Sequence, residues 1–203
     1  MKTALNILKV GGHLVNDVDA LEEVLTAFAG LEGVKLRVHG GGRHATALAK
    51  QLGISPKMVD GRRITDAAML EVAVMSYAGL SNKKIVSQLQ KQDVNAVGLT
   101  GADGNCIESV KRPVTDIDYG FAGDITQVNT SLFASLTAQN FVPVLCAITH
   151  DNNGQLLNTN ADTIAAQVAK AMSEEYDVTL FYCFEHAGVL KDMNKPEDVI
   201  SKL

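Results

Sequence analysis

Two glycine-rich turns carry the residues of this sequence that are best suited to chemistry on an anion. Lys9-Val10-Gly11-Gly12 closes one short apolar run, and His39-Gly40-Gly41-Gly42 closes another. Glycines let backbone N–H groups approach a ligand closely, and a helix that starts after such a turn directs partial positive charge at it. With the Lys9 ammonium, the turns predict a cradle for phosphate or carboxylate groups. Each motif on its own also fits an ordinary tight turn.

Two further segments bring polar side chains to loop positions. Asp60-Gly61-Arg62-Arg63-Ile64-Thr65 places two arginines before a long helical pattern, where a guanidinium suits a carboxylate or phosphate. Asn158-Thr159-Asn160-Ala161-Asp162 places amides and a carboxylate at a helix start. Arginines are also ordinary surface residues, and Asn160 or Asp162 would serve as a helix cap. Each segment therefore has a structural as well as a functional interpretation.

The second glycine turn also fits a different class of site. Gly40 to Ala45 matches the G-x-G-x-x-A pattern of dinucleotide-binding proteins, and Asp60 lies at a workable distance for a ribose hydroxyl. That interpretation predicts a nicotinamide-dependent enzyme, but it leaves the glycine turn after Lys9 unexplained. The sequence contains no P-loop of the GxxxxGK[ST] type.

Composition restricts the class of protein further. The 203 residues are 46% hydrophobic and 20% charged, enough for one α/β domain with room for two lobes. A net charge of −5 disfavours a nucleic-acid partner, and no apolar run is long enough to cross a membrane. Cys106, Cys146 and Cys183 are odd in number and lack the spacing of a zinc site, so the sequence predicts neither a disulfide framework nor bound zinc. A reducing compartment is consistent with such cysteines, and we therefore expect a cytoplasmic location. We expect His39 to pack or to hydrogen-bond beneath its turn rather than to bind a metal.

Hydrophobic periodicity predicts the elements that must position these groups. The predicted strands are 4–10, 34–38, 57–59, 96–99, 142–148 and 178–184, with a β-ribbon around 106–110. Helices are predicted from about residue 16, over 43–52, over 66–90 with Thr65 as the cap, and over 131–139. A further helix is predicted to begin at a cap at Asn160 or Asp162 and to end at about residue 172. Strands that alternate with helices indicate an α/β fold, here a three-layer αβα sandwich with a mainly parallel central sheet. Ligands bind such sheets beyond the carboxyl ends of the strands, where both glycine turns fall.

In this order, the four polar segments resemble the amino acid kinase family, and within it the branch that phosphorylates N-acylated glutamate. Ala96-Val97-Gly98-Leu99, Gly120 to Asp124 and Val142-Pro143-Val144 also fall in the expected order, so the resemblance covers essentially the whole chain. It implies that ATP with Mg²⁺ phosphorylates the γ-carboxylate of an N-acyl-L-glutamate, the second step of arginine biosynthesis. The acyl group is N-acetyl or N-succinyl; Arg112 or Lys111 would meet the extra succinyl carboxylate, or both are surface residues.

The resemblance also implies roles for individual residues. Lys9 would hold the migrating phosphoryl group, and Asp162 would orient lysines rather than act as a base. The residues implied to contact the acylglutamate are Gly41, Gly42, Arg63, Asn158 and Asn160. The residues implied to contact ATP are Gly11, Gly12, Gly188 and Leu190. No protein ligand for a metal is implied.

Two departures from the family pattern shape the remaining expectations. The chain ends before a glycine-rich segment with a second catalytic lysine, and Cys183 to Ala187 replaces a Ser-Asp-Val type sequence. We therefore expect 1–150 to form the acylglutamate-binding lobe with the dimer contact, and 151–203 the start of an incomplete ATP lobe. The missing N-terminal helix of arginine-inhibited relatives favours a homodimer without arginine feedback. A carbamate, aspartate or UMP kinase and a non-catalytic binding fragment are the alternative functions.

Overall fold

The computed structural model describes residues 2–12, 14–59, 61–183, 188 and 198–200. The strands are β1 (Thr3–Val10), β2 (Val34–His39), β3 (Lys57–Val59), β4 (Arg62–Ile64), β5 (Ala96–Leu99), β6 (Ile107–Lys111), β7 (Gly123–Val128), β8 (Val142–Cys146), β9 (Ile148–His150), β10 (Leu156–Asn158) and β11 (Tyr176–Cys183). The α-helices are α1 (Val18–Ala29), α2 (Gly42–Gln51), α3 (Ala67–Val74), α4 (Asn82–Gln90), α5 (Thr130–Ala138) and α6 (Ala161–Met172). Short 3₁₀ turns cover Leu14–Asn16 and Asp103–Asn105, and a π-helical segment covers Met75–Ser81.

Five strands form a central sheet in the order β11-β1-β2-β8-β5, and all four strand pairs are parallel. Parallel neighbours need a crossover between them, and the helices supply it. All the carboxyl ends of these strands therefore lie at one edge of the sheet. The ends of β1 and β2 at that edge are the two glycine turns.

The sheet is covered on both faces, which confirms the predicted three-layer sandwich. Leu5 and Ile7 of β1 pack into a core with α2, α3, α5 and α6. Leu8 and Val10, which point to the other face because side chains alternate along a strand, pack into a second core with α1 and α4. Two buried faces explain why the strands are almost continuously apolar.

The predicted helix over 66–90 is not one continuous α-helix. It is divided by the π-helical segment, whose wider turns change the face that the following residues present. Its cap is Asp66, whose carboxylate accepts the N–H of Met69 at 2.8 Å. Thr65 is not the cap because its backbone pairs with the Tyr119–Phe121 segment and its side chain is buried.

The predicted strand over 142–148 is also divided. Residues up to Cys146 belong to the central sheet, whereas β9 belongs to a second sheet in the order β10-β9-β6-β7. Ala147 lies between the two, and its carbonyl accepts the N–H of Thr159 at 3.1 Å. The chain thus leaves the central sheet at the edge where the glycine turns lie. The predicted ribbon around 106–110 is β6, paired antiparallel with β7.

The predicted division into lobes at residue 150 stays a prediction. The boundary falls at the end of β9, yet β11 pairs with β1 over its full length in the central sheet. Phe184, the predicted end of the last strand, lies outside the described residues. In the described part of the chain, no helix has both the length and the apolar character needed to span a bilayer.

Candidate active site

The two glycine turns meet each other and the start of α6. A methyl group at Gly12 would lie 3.5 Å from the backbone nitrogen of Gly42, and one at Gly40 would lie 3.8 Å from the Cβ of Ala161. Three segments far apart in sequence therefore converge at the carboxyl edge of the sheet. This convergence is the arrangement that the anion cradle required.

Lys9 reaches this edge from β1. In register it lies between Val38 of β2 and Tyr182 of β11, and its side chain is 12% exposed. Its Nζ lies 2.6 Å from Oδ1 of Asp162, in the first turn of α6. The ammonium is therefore held beside the convergence of the turns rather than in the apolar core, and the predicted catalytic pair is in direct contact.

The residues predicted to contact ATP are less completely assembled. The N–H of Gly11 donates to the carbonyl of Cys183 at 2.9 Å, so contact with a phosphate would require this bond to be exchanged. Gly12 lies against the second glycine turn. Gly188 packs near Val199 and is outside the cavity described below. Leu190 lies outside the described residues.

A cavity of about 180 Å³ opens at the same edge. Its lining includes all five residues predicted to contact the acylglutamate: Gly41, Gly42, Arg63, Asn158 and Asn160. The lining also includes Arg62 and Arg112, together with Met58 and Tyr77, which the sequence analysis did not connect with substrate. The cavity therefore unites the second glycine turn, the arginine segment and the Asn-rich loop in one site.

Arg63 is fixed within the cavity wall. It is 8% exposed, and its Nη2 donates to the carbonyl of Gly42 and to Oγ1 of Thr46, both at 2.9 Å. These bonds join β4 to the first turn of α2. A guanidinium carries several donors in a rigid plane, so an arginine anchored in this way presents a positive charge at a defined place.

The residues of the Asn-rich loop, 158–162, have different roles. The Oδ1 of Asn160 accepts the N–H of Thr163 at 3.0 Å, so this side chain caps α6. The Nδ2 of Asn158 donates to Oγ1 of Thr65 at 3.0 Å, and the hydroxyls of Thr159 and Thr149 lie 2.7 Å apart. The capping interpretation therefore applies to Asn160, and Asn158 lines the cavity from a position tied to Thr65.

The position of the Tyr77 ring explains why residue 41, in the second glycine turn, is a glycine. A methyl group at Gly41 would lie 2.5 Å from Cδ1 of the Tyr77 ring, although φ of Gly41 is −176°, an ordinary extended value. The ring is 4% exposed, and its burial raises the pKa of the Tyr77 hydroxyl. Gly41 is thus required by the close approach of a side chain from the π-helical segment. No local pattern pointed to Tyr77, because its position depends on that segment.

His39 hydrogen-bonds beneath its turn, as predicted. Its Nδ1 lies 2.7 Å from the carbonyl of Gly40, and its Nε2 lies 3.1 Å from Nδ2 of Asn82. A carbonyl only accepts and an amide nitrogen only donates, so the ring is the neutral tautomer with its proton on Nδ1. Burial lowers the pKa of His39 to about 4, which keeps the ring neutral. Its role is to support the glycine turn.

The burial of the cysteines and the distribution of the acidic residues show where thiol chemistry or metal binding could occur. Cys106 and Cys146 are buried, and burial raises the pKa of each thiol to about 12. Cys183 is part-buried. Among the described residues, no three His, Cys, Asp or Glu side chains gather where they would hold a metal ion.

Arg112 contributes a second guanidinium from the opposite sheet. Its Nε donates to both carboxylate oxygens of Asp124 at 3.1 Å, and its Nη2 also donates to that carboxylate. The ion pair holds the pKa of Asp124 below its usual value. The Arg112 guanidinium also lies 5.4 Å from the centre of the Tyr119 ring. Arg112 therefore enters the cavity wall with its plane already oriented.

Known proteins resemble this chain in sequence and in fold. Residues 4–202 match the amino acid kinase family. Acetylglutamate kinases of Phocaeicola vulgatus and Bacteroides thetaiotaomicron are 58% identical over 200 residues and 55% identical over 203, which is 98% and 100% of this chain and 78% and 79% of theirs. The fold also resembles N-acetylglutamate synthase from Neisseria gonorrhoeae complexed with coenzyme A and N-acetyl-glutamate, with a TM-score of 0.79, 21% identity, and coverage of 98% of this chain and 44% of that one. This chain belongs to the amino acid kinase family.

Proposed function

We propose that this chain is an ATP-dependent kinase of the γ-carboxylate of an N-acyl-L-glutamate, as the name of its acetylglutamate kinase relatives suggests. The observation that carries the proposal is the single cavity that unites Gly41, Gly42, Arg63, Asn158 and Asn160 beside the Lys9–Asp162 pair. Membership of the amino acid kinase family disfavours the nicotinamide alternative for Gly40 to Ala45.

The reaction needs relief from charge repulsion more than it needs a base. A carboxylate is ionised near neutrality, so its oxygen attacks the γ-phosphorus directly, the new O–P bond forms, and the bond to the ADP oxygen breaks. Two unit charges about 4 Å apart repel by about 4 kcal/mol at an effective dielectric near 20. The Lys9 ammonium, at the meeting of the two turns, supplies positive charge where the phosphoryl group passes.

Binding energy away from the reacting atoms positions the acylglutamate. Arg63, anchored to Gly42 and Thr46, would pair with the α-carboxylate, and Asn158 would donate to it from the adjacent wall. The N-terminal end of α2, at Gly42, would face the reacting carboxylate with its backbone N–H groups. Holding both partners in line is a large part of catalysis in this reaction class.

ATP would enter with Mg²⁺ on its phosphates. Magnesium keeps several waters and commonly binds through one or two carboxylates plus substrate phosphates. Asp162, whose side chain is 55% exposed beside Lys9, is a carboxylate of the described chain that fits such a supporting place. When bound, the ion would reduce the negative charge of the ATP phosphates.

We place the enzyme in the cytoplasm, in arginine biosynthesis, as a homodimer. In the described part of the chain, β5 is an edge strand of the central sheet. An edge strand offers backbone hydrogen-bonding groups to a second copy, which supports a dimer contact in the first 150 residues.

An acceptor panel tests the proposed function. ADP release would be measured with N-acetyl-L-glutamate, N-succinyl-L-glutamate, carbamate, aspartate and UMP at saturating Mg-ATP. We expect turnover with an N-acylglutamate and none above background with the other three acceptors. Turnover with carbamate, aspartate or UMP instead would overturn the proposal. Calorimetric binding of an acylglutamate without ATP binding or turnover would replace it with the binding-fragment alternative.

A further inference from the structure

We propose that Arg112 adapts this cavity to an N-acyl group that ends in a carboxylate, such as N-succinyl, in preference to N-acetyl. The inference rests on the proposed function, because it concerns which acylglutamate that site takes. Arg62, Arg63 and Arg112 line the cavity, and the carboxylate of Asp124 accepts hydrogen bonds from Arg112.

The charges exceed what N-acetylglutamate requires. Among the described residues, three guanidinium groups in the cavity lining and the Asp124 carboxylate that pairs with Arg112 leave a net charge of plus two at the acylglutamate end of the site. The γ-carboxylate reacts beside Lys9, and one α-carboxylate neutralises one of the remaining charges. An acetyl group ends in a methyl and offers nothing to the other. A terminal carboxylate on the acyl group would neutralise it.

The two arginines whose side chains are hydrogen-bonded come from different elements of the cavity wall. Arg63 belongs to β4 and is committed to Gly42 and Thr46, on the side of the second glycine turn. Arg112 follows β6, and its backbone N–H donates to the carbonyl of Ala122 at 2.8 Å. Ala122 pairs in turn with Asn158. The two guanidinium groups are thus held by different partners on different elements, and each can serve a separate substrate carboxylate.

Arg112 is oriented before any ligand arrives. Its side chain is 19% exposed, Asp124 holds it through Nε and Nη2, and Tyr119 lies 5.4 Å away. Arginine recognises carboxylates through parallel N–H donors in a fixed plane. The neighbouring Lys111 is exposed and lies over the ring of Phe121 instead. The two adjacent cations thus have different surroundings, which provides a matched control.

Calorimetry with three ligands separates charge from size. N-acetyl-, N-butyryl- and N-succinyl-L-glutamate would be titrated into the whole chain; butyryl matches succinyl in length but ends in a methyl. We expect N-succinylglutamate to bind about 10-fold more tightly than N-butyrylglutamate, as for a hydrogen bond to a charged group. In Arg112→Met this ratio should fall close to one, and in Lys111→Met it should be kept.

A second variant controls for the unpaired carboxylate that Arg112→Met leaves behind. Arg112→Met leaves Asp124 without its partner, so the double variant Arg112→Met/Asp124→Asn, which removes both charges, should lose the ratio in the same way. A ratio near one in the wild-type chain, or a ratio kept in both Arg112 variants, would show that Arg112 only pairs with Asp124. If none of the three ligands binds, the proposed function itself fails, which is a distinct outcome.

Discussion

The Nζ of Lys9 lies 2.6 Å from Oδ1 of Asp162, and this contact joins the end of β1 to the first turn of α6. Asp162 is 55% exposed, and an ion pair so open to solvent adds little to stability. Its consequence is positional: the carboxylate fixes where the ammonium lies before a phosphoryl group arrives. Four predictions follow from this contact and from three other features of the fold.

Loss of the Lys9 ammonium should affect turnover far more than binding. In Lys9→Ala we expect kcat to fall by about 10²–10³-fold, the range for removing one transition-state donor. The KM for the acylglutamate should change little, because Arg63 and Asn158 line the cavity that holds it. Steady-state ADP release measures both. Lys50→Ala, at the exposed far end of α2, is the control. Wild-type kcat in Lys9→Ala would remove the assignment of residue 9.

A methyl group at Gly41 should damage both stability and the site. In Gly41→Ala the new carbon would lie 2.5 Å from the buried Tyr77 ring, which lines the cavity. Overpacking of this kind costs about 1–3 kcal/mol of unfolding free energy, and displacement of the ring should weaken acylglutamate binding. Gly79→Ala is the matched control, because nothing lies within 4 Å of a methyl group there. Equal stability of the two variants, by chemical denaturation, would contradict the close contact.

The neutral state of His39 predicts a loss of stability in mild acid. Its pKa is about 4 in the folded chain, below the ordinary histidine value of 6.5. As pH falls below 6.5, the unfolded chain takes up a proton that the folded chain does not, so the stability contributed by His39 is lost progressively down to about pH 4. Between pH 7.5 and 5 this loss is about 2 kcal/mol.

His39→Gln isolates that contribution. Glutamine carries a donor and an acceptor but does not titrate in this range. Urea unfolding of the wild type and the variant at both pH values should show the difference in stability shifting toward the variant in acid. A difference that stays constant with pH would mean that His39 is not held neutral by burial.

Arg37 is buried in the second core and should reduce stability. In the described part of the chain its Nε, Nη1 and Nη2 have no hydrogen-bond partner, and burial lowers the pKa of Arg37 to about 9. Replacement of an unpaired buried charge by an apolar side chain of similar volume removes the cost of desolvation. We expect Arg37→Met to raise the unfolding free energy by roughly 1–4 kcal/mol at pH 7.5.

The pH dependence of the stability difference between the wild type and Arg37→Met tests whether the buried charge of Arg37 is what reduces stability. Below pH 9 both states carry the proton and the folded state bears the full cost. Above pH 9 the folded state loses this proton before the unfolded state does, so wild-type stability recovers relative to the variant. The advantage of Arg37→Met should therefore be about 1 kcal/mol smaller at pH 10 than at pH 7.5. A less stable variant at pH 7.5 would show that the guanidinium has a partner.

Local patterns in the sequence determined much of the fold. Short apolar runs that end in glycine predicted β1 and β2 with their turns, because a strand buried on both faces and the bend after it are properties of neighbouring residues. The cap of α6 at Asn160 was predictable for the same reason, since the bond to the N–H of Thr163 spans one helical turn. The order of the motifs was sufficient to identify the family.

Tertiary structure decided the features that depend on contacts between distant segments. The approach of Tyr77 to Gly41 follows from the π-helical turns within a pattern that reads as one helix. Arg112 lines the cavity because the chain leaves the central sheet at Ala147 and β9 then joins a second sheet with β6, the strand that precedes Arg112. Side-chain types and spacing set what a segment can do, but packing energy over the whole chain selects which distant surfaces meet, and no local pattern records that selection.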